Sequence, residues 1–316
     1  MEPRRRGQRE IHAEESAFSR TPIFPYGLML SLFTTYYACP EGGNMKKKSL
    51  LIMAFLGIGL GLVKTQAHAE QMILYRAGVT VPASELMDLG DIGAIGGEIL
   101  EGNPAASARF DYFVPGYSGG VFQVTRGTIR VTYPFTEHAT ILNGVVRIRD
   151  EHGNEDVLSA GDSYLITQGS TILVEVLTPK LQKSFYNYQG ASDLPGPMAV
   201  FQRGRPVPDE DFLVLDPAAL GGRIVEGDPV VSARFDLFQD SLVGGVFQTT
   251  QGTFEITMPF TEHGGIHQGV SVIQVGSESP QMLFPGDSYL ILKGTSLRWE
   301  AQGASVQKTF LNSTLP

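Results

Sequence analysis

From about residue 70 onward the chain is made of short stretches in which apolar and polar residues alternate. In "TIRVTYPF", Thr128 to Phe135, every second side chain is apolar, and "VVRIRDE" from Val145 repeats the habit. A period of two sends successive side chains to opposite faces, so these stretches are predicted to be strands of half-buried sheets. Gly, Asp and Asn turns separate them, and no window within the repeats described below holds a sustained 3.6-residue apolar period. Many short, evenly spaced strands argue for an all-β antiparallel sandwich or barrel.

The pattern occurs twice. "GGEILEGNPAASARFDYF" from Gly96 matches "GGRIVEGDPVVSARFDLF" from Gly221, and "GGVFQVTRGT" at Gly119 matches "GGVFQTTQGT" at Gly244. "AGDSYLI" at Ala160 returns as "PGDSYLI", "LQKSFYN" at Leu181 as "VQKTFLN", and "PFTEH" stands at both Pro134–His138 and Pro259–His263. One constant offset across so long a stretch means that loops inside the unit kept their lengths, so both copies are expected to share one topology and to pack as a pseudo-twofold pair. The division expected is a first domain at 70–189, a Gly- and Pro-rich linker at 190–212 and a second domain at 213–316.

The start of the chain reads differently. "MKKKSLLIMAFLGIGLGLVKTQAHAEQM" from Met45 has three lysines, an apolar run from Leu50 to Val63 and the small-x-small site Ala67-His68-Ala69. That is the pattern of a secretory signal peptide, placed at 45–69, and its apolar run is shorter than the ~20 residues that span a bilayer. Residues 1–44 then precede a complete signal and are read as a non-native or untranslated extension. The expected location is the periplasm, with secretion as the alternative and no membrane attachment after cleavage.

Charge narrows the partners. From Glu70 onward there are 15 Lys and Arg against 28 Asp and Glu, a net charge of −13 with no basic patch, which speaks against nucleic acid. The one cysteine, Cys39, lies in the 1–44 extension, so neither disulfides nor thiol chemistry are expected of the mature chain.

The order of glycine, strand, Glu, then "ILNG" or "IHQG", a turn, and "GDSYLI" followed by Gly169 or Gly294 resembles the two motifs of the cupin fold. The second half of each unit, ending in Gln-Lys-x-Phe, resembles more narrowly the ureidoglycine aminohydrolase-type cupins. The resemblance covers about 97–188 and 222–313. It implies two tandem cupin, jelly-roll-like β-barrels forming a bicupin, and a divalent metal held by three His and one Glu. Carried onto this chain, the family's Glu falls on Glu137 and Glu262. Its imidazoles fall near Val131, Tyr133 and Ile172, and near Ile256, Met258 and Leu297, none of which is a histidine. One ligand of four remains in each copy, so no cofactor is expected. The alternative is Mn, Fe, Ni or Zn on Glu137, His138, Glu262, His263 and His267.

Strand parity separates those candidates. If Glu137 and Glu262 point into a barrel, His138, His263 and His267 point out, and His138 and His263 are read as rim residues tolerant of substitution. Tyr133, Tyr164, Met258 and Tyr289 offer aromatic and thioether surface where a metal would sit, with Phe135, Phe185, Phe260 and Phe310 beside them; core packing is their plainer role. With Glu137, Glu262, Lys183 and Lys308 as polar contacts they form a candidate site for a small-molecule ligand. The lysines read equally well as solvated strand ends, and Asp162 and Asp287 as turn residues. Two functions remain: a metal-free binding module or paired-barrel scaffold, and a cupin hydrolase or isomerase with Glu137 or Glu262 as acid/base or ligand. A second copy of the chain is the remaining candidate partner.

Overall fold

The computed structural model describes residues 71–190, 195–239 and 241–314, and the expectations for 1–69 lie outside them. Ten strands come from the first half: β1 (Met72–Tyr75), β2 (Met87–Gly90), β3 (Gly97–Gly102), β4 (Ala106–Val114), β5 (Tyr117–Thr132), β6 (Thr136–Asn143), β7 (Val146–Asp150), β8 (Glu155–Leu158), β9 (Ser163–Ile166) and β10 (Thr171–Tyr188). Nine follow: β11 (Ala199–Phe201), β12 (Leu213–Leu215), β13 (Gly222–Gly227), β14 (Val231–Gln239), β15 (Leu242–Thr257), β16 (Thr261–Val275), β17 (Gln281–Leu283), β18 (Ser288–Ile291) and β19 (Ser296–Ser313). Short 3-10 turns are the other regular elements among the described residues, so the chain is all-β as its alternation predicts.

The strands form two antiparallel sheets, each rolled around its own core. One runs β11-β9-β6-β10-β5-β4-β2, the other β1-β18-β16-β19-β15-β14-β12. Each sheet therefore takes one terminal strand from the other half. β1 pairs with β18, Met72 opposite Ile291, and β11 pairs with β9, Phe201 opposite Ser163. The 190–212 segment is consequently more than a linker: it supplies the first barrel's edge strand, as the start of the chain supplies the second's. Sheet edges left open invite wrong pairing, and reciprocal exchange covers one edge of each barrel.

Three apolar clusters result. Ile141, Ile148, Ile166 and Ile172 fill the first barrel, where Ile92 from a 3-10 turn also inserts, and Ile266, Ile273, Ile291 and Trp299 fill the second. The third cluster is the seam between barrels, built of symmetry-related residues such as Val121 with Val246 and Leu165 with Leu290. This changes the meaning of alternation in the strands beside the seam. β6, β9 and β18 are buried on both faces, because one face lines a barrel and the other meets the second copy.

The "GDSY" turns lock the exchange. Asp162 accepts from Ser159 N in its own turn and from Arg203 N of the incoming segment, while Asp287 accepts from Phe284 N and from Arg76 and Ala77. Gly161 and Gly286, both at positive φ, bring the turns together: a Cβ on Gly161 would stand 2.9 Å from Gly286 Cα. Gln182 and Gln307 then clamp the exchanged chain as it returns. Each side-chain amide exchanges two hydrogen bonds with one backbone unit, at Val81 and Val207 respectively, in the manner of a strand partner.

Candidate functional site

β9, β6 and β10 lie side by side, and their inward positions include Tyr164, Glu137 and Lys183. The three meet deep in the first barrel. Tyr164 Oη donates to Glu137 Oε1 at 2.7 Å, and Lys183 Nζ donates to the same oxygen at 2.5 Å and to Tyr164 Oη at 2.6 Å. In the second barrel Tyr289 Oη donates to Glu262 Oε1 at 2.6 Å, and Lys308 donates to Glu262 and, at 3.0 Å, to Tyr289. All six side chains are buried. The ammonium also rests on aromatic faces, Lys183 over Phe122 and Tyr164, Lys308 over Trp299, Phe247 and Tyr289.

Burial sets the electrostatics. It pushes the Tyr164 and Tyr289 hydroxyls well above their ordinary pKa, and the neighbouring Glu137 and Glu262 push them further. Tyr133 is raised in the same way, with Glu137 and Tyr164 as its side-chain partners. Burial lowers Lys308, and Glu262 acts in the opposite sense. A buried charge pair of this kind is held by its completeness, since removing one member strands the other in a medium of low polarity.

The eight ligand candidates therefore divide. Glu137, Tyr164 and Lys183 converge with Tyr133, and Glu262, Tyr289 and Lys308 converge beside Met258, which packs in the second interior cluster. The lysines are not solvated strand ends: the "Gln-Lys-x-Phe" repeat places Gln on the seam face and Lys inside. That repeat was the available signal for a buried lysine.

The donor set does not fit a divalent metal. Val131, Tyr133 and Ile172 in one barrel and Ile256, Met258 and Leu297 in the other give no imidazole, and each remaining carboxylate is already bonded to an ammonium and a phenol. No group of three or more His, Cys, Asp or Glu that could hold an ion occurs among the described residues.

The histidines correct the sequence reading. Parity does put them opposite the glutamates, yet they are not at a rim. His138 and His263 are both within 1% of full burial and meet across the seam, Nδ1 to Nδ1 at 2.7 Å. His138 Nε2 bonds Thr309 Oγ1 and His263 Nε2 bonds Ser184 Oγ, hydroxyls at matching positions of the two copies. Since one ring must donate and the other accept, the neutral pair holds opposite tautomers. His267 also lies on the seam side and bonds the Arg205 carbonyl. Alternation reveals which face a side chain takes but not what covers that face, hence the misplacement.

Comparison with known proteins agrees with this fold. The EutQ-like cupin domain family matches residues 116–185 and again residues 238–310. The fold is that of a bicupin. A protein with unknown function from Pseudomonas syringae pv. tomato superposes on this bicupin with a TM-score of 0.58 at 18% identity, covering 78% of this chain and 100% of that one. A cupin 2 conserved barrel domain protein from Leptotrichia buccalis gives 0.46 at 14% identity, over 75% of this chain and 100% of its own. A putative glyoxylate induced protein from Pseudomonas aeruginosa gives 0.46 at 11%, over 80% and 94%. No curated protein matches. At such identities the likeness is one of fold alone.

Proposed function

We propose that the chain is an exported bicupin that works without a transition metal and binds a small organic metabolite inside its paired barrels. The observation that carries this reading is the Glu-Lys-Tyr triad, present in both barrels where the cupin resemblance implies a metal. The buried lysine ammonium supplies the fixed positive charge that a bound ion would otherwise supply, and adds N–H donors. Export rests on the leader pattern of Met45–Ala69 and places the protein in the periplasm. The test is a thermal-shift screen of the mature chain against small metabolites, run with and without divalent metals, alongside elemental analysis. Stabilisation by a compound independent of metal is expected; one tightly held equivalent of Mn, Fe, Ni or Zn would sink the reading.

A second reading has one observation in its favour. Lys308, lowered in pKa and bonded to both a carboxylate and a phenol, is a set able to pass protons, as a ureidoglycine aminohydrolase-like cupin hydrolase or isomerase acting on a ureido, amino-acid or sugar-like compound requires. Glu262, or Glu137 in the first barrel, would be its acid/base. Turnover abolished by Glu262→Gln, with binding retained, would favour it over the binding module.

A further inference from the structure

The two barrels differ in which polar atoms they leave unpaired. In the second barrel Trp299 Nε1 and Ser271 Oγ are buried and have no hydrogen-bond partner. The positions 125 residues earlier in the first barrel are Val174 and Val146, which have nothing to pair. Trp299 belongs to the second interior cluster, and Ser271 shares a strand face with Ile273 of that cluster, next along β16 to the residue opposite Trp299. Lys308 Nζ lies 4.6 Å from the Trp299 ring and gives two of its three N–H groups to Glu262 and Tyr289. Both barrels also hold one unpaired asparagine oxygen, Asn187 or Asn312, so that orphan does not distinguish them.

An unpaired buried donor is costly, and two on one face of one barrel interior ask for an acceptor. The charge balance of the surrounding side chains decides which kind. Lys308 is already balanced by Glu262, so an added carboxylate would enter as an uncompensated buried charge, whereas a carbonyl oxygen satisfies the donors without one. We infer that the second barrel is the binding chamber and takes a small uncharged carbonyl compound of the amide type, its oxygen held by Trp299 Nε1, Ser271 Oγ and the free N–H of Lys308. This rests on the small-molecule reading above and narrows it to one barrel and one ligand chemistry. The first barrel, with valines at both positions, then serves to complete the seam.

Trp299 is the one tryptophan of the chain, so intrinsic emission reports on this chamber alone. The full mature chain is titrated with acetamide and N-methylacetamide, with acetate as the charged isostere, by emission and by calorimetry in parallel. A saturable emission change with at least one amide and none with acetate is expected, and Ser271→Ala, which removes only the hydroxyl, should weaken the amide about tenfold for a lost buried hydrogen bond. Acetate binding as well as acetamide, no effect of Ser271→Ala, or silence of both amides by both readouts, as would follow if water alone satisfied the orphans, overturns the inference. Heat of binding without an emission change also overturns it, because the ligand then sits outside the second barrel, yet it leaves the small-molecule reading standing. That broader reading fails separately, if no compound in the metabolite screen stabilises the protein.

Discussion

Tyr133 in the first barrel and Met258 in the second stand at equivalent positions beside the same triad, as do Val174 and Trp299, and Ala139 and Gly264. The first barrel surrounds its Glu and Lys with one more phenol; the second surrounds them with indole and thioether. The substitutions are coupled in space: a Cβ on Gly264 would lie 2.4 Å from Tyr289 Oη, so the second barrel has given up a methyl where its tyrosine packs. Keeping three residues while exchanging their neighbours separates what a buried charge pair needs from what a chamber can be used for. The pair needs mutual completeness, which both barrels have. Spare donors occur where the neighbours changed.

The comparison breaks most directly at the lysines. Lys183→Met and Lys308→Met should each destabilise the protein by about 3–5 kcal/mol, because each strands a buried glutamate. Lys308→Met should cost more, since Glu262 keeps only Tyr289 whereas Glu137 keeps Tyr164 and Tyr133. Denaturant unfolding of the two variants would check the order, and equal losses would show that the extra phenol contributes nothing. Exchanging the neighbours is the next largest test. Trp299→Val should lose about 2–4 kcal/mol through the cavity it leaves, and Val174→Trp about 1–3 kcal/mol through overpacking. If both losses were negligible, the interiors would be looser than their burial indicates.

A smaller effect concerns what the barrels share. Burial holds His138 down to about 3 and lowers His263 well below its usual value, the charge of its partner adding to the shift. The unfolded chain titrates its histidines near 6.5, so below that pH it binds protons that the folded seam refuses. Stability attributable to the pair is therefore full above about pH 6.5 and falls as pH drops toward 3, by up to about 1.4 kcal/mol per pH unit for each ring. Unfolding free energies at several pH values should show this slope, and a His138→Leu, His263→Leu variant should flatten it. Smallest of all, Tyr133→Phe should cost about 1 kcal/mol for its lost hydroxyl contacts and so make the first barrel resemble the second.

Much of the architecture was legible in the chain. Alternation gave the strands, the constant offset gave two equal barrels, and parity put Glu137 and Glu262 opposite His138 and His263. The histidine pair was not legible, because period two says nothing about a second sheet lying on the outward face. The exchanged strands escaped for another reason. Val81 and Val207 play the same part at an offset of 126, while Asp91 and Asp216 cap equivalent turns at 125, so one inserted residue hides the leading segment from a constant-register search. A three-residue strand such as Ala199–Phe201 has too little pattern to restore it. Lys183 and Lys308 were visible as residues, but their burial depends on partners from three different strands.

The exchange of terminal strands also orders events in time. Met72 finds its partner, Ile291, at a separation of 219 residues, and the first barrel's own edge waits for Phe201. A ribosome delivers the amino end first, so β1 emerges with nothing to pair with until almost the whole chain has been made. Contacts so remote in sequence slow folding, because the loop must close before any pairing rewards it. The first barrel therefore has all its strands once Phe201 has been made, whereas the second cannot be finished until β1 and β18 have met, so the second is expected to close last.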